Sequence, residues 1–354
     1  LRLINLKNSR NKIILVIIIK GSKMENCTSK KFGIWFDFKI QPKNEWMKFF
    51  DKLENANISE CFINANANQL DYLISLTKNH NLNIHGWIWT LNRPYDEKCS
   101  KNLDWYSVNK IGQSSYEYRP YVDYYQWLSP FSEGARDYIK GNISKIASVD
   151  GLSSVHLDYV RYCDVFLPKN LQKYYSINQT HEFPEYDFGY HINGRKSFKD
   201  MYGIDPIDIN DTKLSRKWKQ FRCDAVSSLV KELKAIAKNK NKKISAAVFP
   251  YPEMSREMVL QDWSSWDLDI VCPMNYHHFY DGDIDWISDS VSKGVKYKKS
   301  DGMYLSGLFL GALSPLKLEE AINLCLKSGA NGVCLFNDEC LKEEHIKVIK
   351  SFRL

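Results

Sequence analysis

The chain has 354 residues, of which 44% are hydrophobic and 14% aromatic, and it carries a formal net charge of +7. This composition is typical of a globular protein with a sizeable core and excludes a disordered or fibrous chain. The lysines are scattered over predicted helix faces and loops and form no dense basic patch interleaved with aromatic residues, so we expect no nucleic-acid partner.

The N-terminal segment resembles a signal peptide. Basic residues precede a short apolar run at residues 13–19, but two lysines and no small-x-small cleavage site follow it. Seven apolar residues are too few for a stable membrane span. We therefore exclude residues 1–30 from the fold as an N-terminal extension and expect an extracytoplasmic protein (periplasmic, secreted or on the cell surface). The alternative is a cytoplasmic protein whose functional chain begins at Met24.

Eight short apolar runs, bounded by Gly, Pro, Asn and Asp, recur from residue 31 onward. Their length and composition are typical of buried strands. The predicted strands cover residues 32–38, 58–66, 82–92, 151–162, 244–250, 268–276, 303–311 and 331–337.

Helical patterns lie between the predicted strands. They cover residues 45–55, 69–79, 132–148, 211–239, 255–264, 284–293, 317–328 and 342–352. Eight alternations of strand and helix predict an α/β fold in which the parallel strands close into a (β/α)8 TIM barrel. We expect residues 31–354 to form this barrel as a single catalytic domain.

Two connections are unusually long, at residues 93–131 after strand three and residues 163–210 after strand four. Both leave from the C-terminal ends of strands, the face on which barrel enzymes carry their active sites. Their high aromatic content favours a role in shaping a substrate cleft over a decorative surface role.

Polar and aromatic residues cluster at the C-terminal ends of the predicted strands. Carboxylates and amides hydrogen-bond to hydroxyl groups, and flat aromatic rings stack on the apolar faces of sugars, so the set favours a carbohydrate ligand. The residues that we predict to bind this substrate are Asp37, Asn64, Trp89, Arg93, His156, Arg161, Asn275, Tyr276, Asn337 and Glu339.

Motifs for other chemistries are missing from the sequence. No glycine-rich phosphate loop follows a strand, and there is neither an HExxH pair nor a GxSxG elbow. The nine cysteines form no CxxC pair. We therefore predict no cofactor and no metal site.

Asp158 is the strongest catalytic candidate. Burying an unpaired carboxylate costs several kcal/mol, so this side chain is either paired with a cation or has a functional role. Arg161, three residues later, could keep it ionised, or the two could form a purely structural ion pair. Glycoside cleavage needs a second carboxyl group as proton donor. We favour Glu253 for this role, with Glu339 and Asp37 as alternatives; both glutamates could instead be acids that stabilise a helix start.

Several spaced segments resemble the glycosyl-hydrolase-like family 10 of bacterial proteins. They are HLDYVRY, AAVFPYPE, QDW (residues 261–263), DIVCPMNYHHFY, GANGVCLFNDE, HGWIWTLN and YQWLSP (residues 125–130). The resemblance covers roughly residues 31–350. Family members often carry a Cys-x-Cys-x-x-Cys-Arg stretch after strand four, where this chain reads FGYHINGR (residues 188–195) without cysteine.

The resemblance implies a TIM barrel related to the α-amylase type that acts on glycans. In that class the strand-four aspartate is the nucleophile and a strand-five glutamate is often the acid. Asp158 matches the first position, and Glu253 matches the second approximately, since it lies past the strand end. We therefore predict a retaining glycoside hydrolase acting on an oligo- or polysaccharide such as cell-wall glycan. The alternative is a non-catalytic carbohydrate-binding protein on the same barrel.

Overall fold

The computed structural model describes residues 30–352, whose eight parallel strands form a closed barrel in chain order. Each strand pairs with its sequence neighbours, and β1 closes the barrel against β8. The strands are β1 Lys31–Asp37, β2 Glu60–Asn64, β3 Asn83–Trp89, β4 Ser154–Asp158, β5 Lys243–Val248, β6 Ile270–Pro273, β7 Met303–Phe309 and β8 Gly332–Phe336.

Eleven α-helices accompany these strands within the described residues. They are α1 Lys43–Asn55, α2 Ala67–Leu76, α3 Glu97–Ser100, α4 Glu133–Ala147, α5 Lys169–Tyr174, α6 Ile192–Tyr202, α7 Thr212–Asn239, α8 Pro252–Val259, α9 Asp285–Gly294, α10 Pro315–Lys327 and α11 Glu343–Ser351. No helix in this part of the chain is both long and apolar enough to cross a membrane.

Local sequence signals set where the helices begin. Asn66 starts α2 with a capping box: its side-chain oxygen accepts from the backbone N–H of Gln69, and the Gln69 side chain accepts from the N–H of Asn66. Asp211 caps the long α7 by accepting from the N–H of Leu214 at 2.8 Å. Such caps satisfy backbone donors that have no partner inside the helix.

The strands divide their side chains between two cores. One set packs together as a cluster contributed by seven strands: Trp35, Phe62, Trp87, Ala247, Ile270, Cys272, Leu305 and Cys334. The alternate residues of β1, Phe32, Ile34 and Phe36, belong instead to the larger core that contains helix residues. This period of two places Trp35 and Asp37 on the same face of β1.

The two long connections pack on each other beyond the C-terminal ends of β3 and β4. The N–H of Tyr190 donates to the carbonyl of Val108 at 2.8 Å, and the rings of Tyr121 and Tyr186 stack with their centroids 4.6 Å apart. The connections carry α3, α5 and α6, three short helices that the sequence patterns do not predict.

The predicted (β/α)8 barrel is confirmed, and each of the eight predicted strands overlaps an observed one. Of the predicted N-terminal extension, residues 1–29 lie outside the described part of the chain.

Candidate active site

A pocket of about 370 Å³ opens at the C-terminal ends of the strands, beneath the two long connections. We call it the central pocket. Three carboxylates line it: Asp37, Asp158 and Asp164. Most of the remaining wall is aromatic and comprises Trp35, Trp87, Trp89, Tyr124, Tyr125, Tyr159, Tyr175, Phe249, Tyr276, Phe279, Tyr280 and Phe336.

Asp158, the last residue of β4, is held by two donors. The indole Nε1 of Trp87 donates to its Oδ2 at 3.1 Å, and the backbone N–H of Tyr159 donates to its Oδ1 at 2.6 Å. Tyr159 has φ 47°, in the left-handed region that a bulky aromatic residue rarely adopts. Such strain persists only where the surrounding structure fixes it, and it is frequent at functional sites.

Burial raises the pKa of Asp158 to about 6, against the lowering effects of the Tyr159 N–H, the Arg161 charge and the Trp87 indole. A carboxyl group with a raised pKa in an apolar pocket can be protonated near neutral pH and can donate that proton to a substrate. The environment of Asp158 therefore suits a general acid better than the ionised nucleophile that the sequence suggests.

Arg161 lines the central pocket but pairs with Asp164. Its Nη1 lies 3.1 Å from Asp164 Oδ2, and both side chains are buried. Its guanidinium group also lies over the rings of Trp127, Tyr159 and Phe249, with 4.8–5.4 Å between the guanidinium carbon and the ring centroids. Arg161 therefore forms its ion pair with Asp164 and not with Asp158. The charge of Arg161 still lowers the pKa of Asp158, but burial outweighs it.

The structure brings five of the predicted site residues together in the central pocket. They are Asp37, Trp89, Asp158, Arg161 and Tyr276. Trp89 packs against Tyr159, with ring centroids 4.8 Å apart. Asp37 is exposed at the mouth, where its Oδ1 accepts from the side-chain amide of Asn64 at 2.7 Å. Asn64 and Arg93 line a neighbouring cavity that shares Trp87 and Trp89 with this pocket.

The two glutamates considered as partners of Asp158 are not among the described residues that line the central pocket. Glu253 is the second residue of α8, is exposed, and accepts a hydrogen bond from the hydroxyl of Tyr297 at 3.3 Å. Glu339 is 67% exposed and lies 3.4 Å from the ammonium group of Lys39. The structure thus does not place either glutamate opposite Asp158, because each is exposed and contacts a residue that is not among the described lining of the pocket.

Asn275 and Asn337, predicted to contact substrate, are also not among the described lining residues of the pocket. Asn275 is fully buried; its Nδ2 donates to Ser306, and its Oδ1 accepts from Ser290. It therefore clamps β7 to α9. Asn337 directly follows β8.

His156 lies below the pocket floor, inside the barrel. Its Nε2 is 3.0 Å from the indole Nε1 of Trp35, which can only donate, so this nitrogen accepts and Nδ1 carries the proton. Burial, with a smaller contribution from His85, holds the pKa of His156 well below its usual range.

A chain of hydrogen bonds crosses the barrel at this level, with donor–acceptor distances of 2.7–3.0 Å. It runs through Trp35, His156, Ser245, Ser154, His85 and Glu60.

Replacing Ser245 with alanine should destabilise the fold by about 1–3 kcal/mol, because it leaves the buried Nδ1–H of His156 without its acceptor. Chemical denaturation would measure the change. Ser148→Ala, which removes an exposed hydroxyl bonded to Ser144, should stay within about 0.5 kcal/mol. Equal effects of the two substitutions on the free energy of unfolding would show that this chain of hydrogen bonds does not stabilise the barrel.

Much of the pocket wall, including Trp35, Asp164 and Phe249, is not among the residues predicted from the sequence. The period of two along a strand was a usable signal for Trp35, which precedes Asp37 by two residues. The long connections offered no such periodicity for Asp164. Within residues 30–352, no three His, Cys, Asp or Glu side chains converge in an arrangement that could hold a metal ion.

Comparison with known proteins gives one family match and a set of solved structures with the same fold. The family described as "Glycosyl hydrolase-like 10" matches residues 46–308. No curated protein matches the sequence.

Among solved structures, the glycoside hydrolase domain of PgaB (BpsB) from Bordetella bronchiseptica superposes with a TM-score of 0.69 at 12% identity, covering 92% of this chain and 99% of that one. The β-amylase catalytic domain from Paenibacillus polymyxa superposes with a TM-score of 0.59 at 13% identity, covering 92% of this chain and 98% of that one. A β-galactosidase from Halorubrum lacusprofundi superposes with a TM-score of 0.65 at 10% identity, covering 91% of this chain but only 57% of that one. At these identities the similarity establishes the fold alone.

Proposed function

Because the chain belongs to the glycosyl hydrolase-like 10 family, we propose that it hydrolyses glycosidic bonds in a carbohydrate chain, with Asp158 as the catalytic acid. The observation that carries this proposal is a carboxyl group with its pKa raised to about 6 inside an aromatic pocket. Aromatic rings provide flat apolar surfaces on which a sugar ring can stack. The carboxyl group provides the proton that the leaving oxygen needs as the glycosidic bond breaks.

Asp37 is the second carboxylate that we assign to the reaction. It lines the same pocket, is exposed to solvent at the mouth, and is oriented by the amide of Asn64. It stands at the end of β1, while Asp158 ends β4, and β2 and β3 separate these strands on the shorter side of the barrel. Asp164 is a weaker candidate because its carboxylate is buried against Arg161.

Asp37 is exposed to solvent, so a water molecule can reach it from the mouth of the pocket. Asp158 would then protonate the leaving oxygen while Asp37 takes a proton from the attacking water. This arrangement inverts the configuration at the anomeric carbon, whereas a retaining mechanism requires carboxyl groups only about 5–5.5 Å apart. We propose inversion in place of the retaining mechanism that the sequence suggests, because the raised pKa of Asp158 suits an acid and the exposure of Asp37 suits a base that activates water.

The proposal is tested by turnover. Purified protein should release new reducing ends from at least one member of a panel of neutral, amino-sugar and acidic polysaccharides that includes peptidoglycan. Asp37→Asn should lower kcat by at least about a hundredfold, the low end of what a general base contributes. NMR of the first product formed should show the anomer opposite to that of the bond cleaved.

Asp71→Asn, an exposed aspartate on α2 that lines no described cavity, serves as the matched control and should keep full activity. Retention of configuration, or an Asp37→Asn variant as active as this control, would remove Asp37 from the mechanism. Sugar binding without any product would favour the alternative of a non-catalytic carbohydrate-binding protein.

A further inference from the structure

A second cavity, of about 500 Å³, lies beside the central pocket between the segments that follow β2 and β3 and the helix α4. We call it the side cavity. It shares Trp87 and Trp89 with the central pocket. The hydrogen bond between Asn64, which lines the side cavity, and Asp37, which lines the central pocket, also joins the two. The two cavities therefore lie side by side, within the span of one extended ligand.

The segment that follows β3 is held rigidly at the edge of the side cavity. Arg93 donates from Nε and Nη2 to Asp96 Oδ2, at 3.1 and 2.6 Å, and from Nη1 to the carbonyl of Trp89 at 3.0 Å. Asp96 also accepts from the hydroxyl of Tyr138 at 2.9 Å. Because these charge-assisted hydrogen bonds fix the guanidinium group and the carboxylate in one arrangement, this end of the cavity is a fixed wall.

Tyr95 projects from this rigid segment into solvent. Its side chain is 76% exposed, and its backbone, with φ 59°, is in the left-handed region. Its N–H donates to the side chain of Gln126 at 3.2 Å. An exposed aromatic ring on a backbone held from both sides is preorganised, so a ligand that stacks on it loses little additional conformational freedom.

The lining supplies neutral hydrogen-bonding groups for such a ligand. Asn92 is fully buried and lines the cavity; its Oδ1 accepts from the N–H of Gln126, but its Nδ2 has no hydrogen-bond partner among residues 30–352. An amide donor left unpaired in a buried position is costly, so a ligand acceptor that reaches it gains a hydrogen bond. The amide of Asn142 lies in the same wall. Asp96 balances Arg93, whereas Lys145, which also lines the cavity, forms no ion pair among residues 30–352, so these groups favour a hydroxyl-rich ligand that is neutral or acidic.

We propose that the side cavity binds a further sugar of the same carbohydrate chain, beyond the two that flank the cleaved bond, stacked on Tyr95 and hydrogen-bonded to the amides of Asn92 and Asn142. This inference rests on the proposed glycosidase activity and deepens it. The substrate class becomes a polymer of several sugar units, bound across both cavities, and not a disaccharide held in the central pocket alone.

The length of the substrate gives the test. On a series of two to eight units of a cleaved glycan, kcat/KM of the unaltered protein should rise until both cavities are filled. Tyr95→Ala should lower kcat/KM on the longest member about five- to tenfold, the equivalent of one stacking contact, and should leave the disaccharide unaffected. Tyr95→Phe keeps the ring and should restore the value. Tyr72→Ala, an exposed tyrosine on α2 outside both cavities, should change neither.

Binding separates this inference from the proposed activity. In the Asp158→Asn background, calorimetry should show that Tyr95→Ala weakens binding of the octamer but not of the dimer. If the unaltered protein cleaves no glycan but this difference in binding persists, the proposed activity fails while the side cavity stands as a sugar site. Cleavage with no dependence on chain length, or octamer binding unaffected by Tyr95→Ala, would overturn the inference.

Discussion

Asp158→Asn should reduce turnover by about a hundred- to ten-thousandfold, the range that a positioned general acid contributes. The asparagine has nearly the same shape but carries no transferable proton. Its Oδ1 can still accept from the N–H of Tyr159, so we expect the barrel to remain folded. Product release measured on the best glycan of the panel, with circular dichroism as the folding control, gives the result.

The pH dependence distinguishes an acid from a nucleophile. A group that must be protonated loses activity as pH rises through its pKa, so an acid role predicts that kcat/KM falls about tenfold per pH unit above about pH 6. A nucleophilic role predicts the opposite limb, with kcat/KM rising up to about pH 6 and then levelling. In the Asp158→Asn variant, the part of the pH profile that reports the titration of the Asp158 carboxyl group should disappear.

Glu253→Gln is the informative comparison for this experiment. It removes the carboxylate that the sequence favours as the acid but that the structure places on exposed α8, bonded to Tyr297. We expect its kcat to stay within about twofold of the unaltered protein, as for other exposed substitutions. A Glu253→Gln variant as inactive as Asp158→Asn would return Glu253 to the mechanism and require a change of conformation that brings it to the pocket.

The barrel could be predicted because its signal is local and repeated. Each strand is a short apolar run, and eight alternations with helices leave few other topologies. Asp158 could be predicted for a similar reason, since a carboxylate at the end of a buried strand is conspicuous in the sequence.

The partners of Asp158 could not be predicted, because they depend on distances between segments far apart in the chain. Trp87 is 71 residues away from the carboxylate that it contacts. Sequence proximity also misled: Arg161 is three residues from both Asp158 and Asp164, and only the turn of the backbone after β4 decides that it pairs with Asp164. Glu253 follows β5 closely, but Pro252 and the start of α8 carry it to the outer surface.

Asp164→Asn should lower the free energy of unfolding by about 3–5 kcal/mol, because it leaves the buried guanidinium group of Arg161 without its counter-charge. Burial, the largest single effect, lowers the pKa of Arg161, but the charge of Asp164 together with smaller contributions from neighbouring tyrosine and cysteine side chains outweighs it and raises the pKa above its usual value, so Arg161 stays charged. The aromatic rings around it cannot replace a carboxylate, since a cation–π contact contributes only about 0.5–2 kcal/mol. Chemical denaturation at neutral pH measures the change.

The half-exposed pair of Arg195 and Asp205 provides the matched control, since its two bonds of 3.0 and 2.7 Å are as well formed but are screened by solvent. Asp205→Asn should therefore cost no more than about 1 kcal/mol. Adding Arg161→Met to Asp164→Asn should recover part of the lost stability, because the uncompensated charge is then gone. If Asp164→Asn costs no more than Asp205→Asn while Asp158→Asn is strongly destabilising, the counter-charge of Arg161 is Asp158. The proton donor of the pocket would then have to be sought elsewhere.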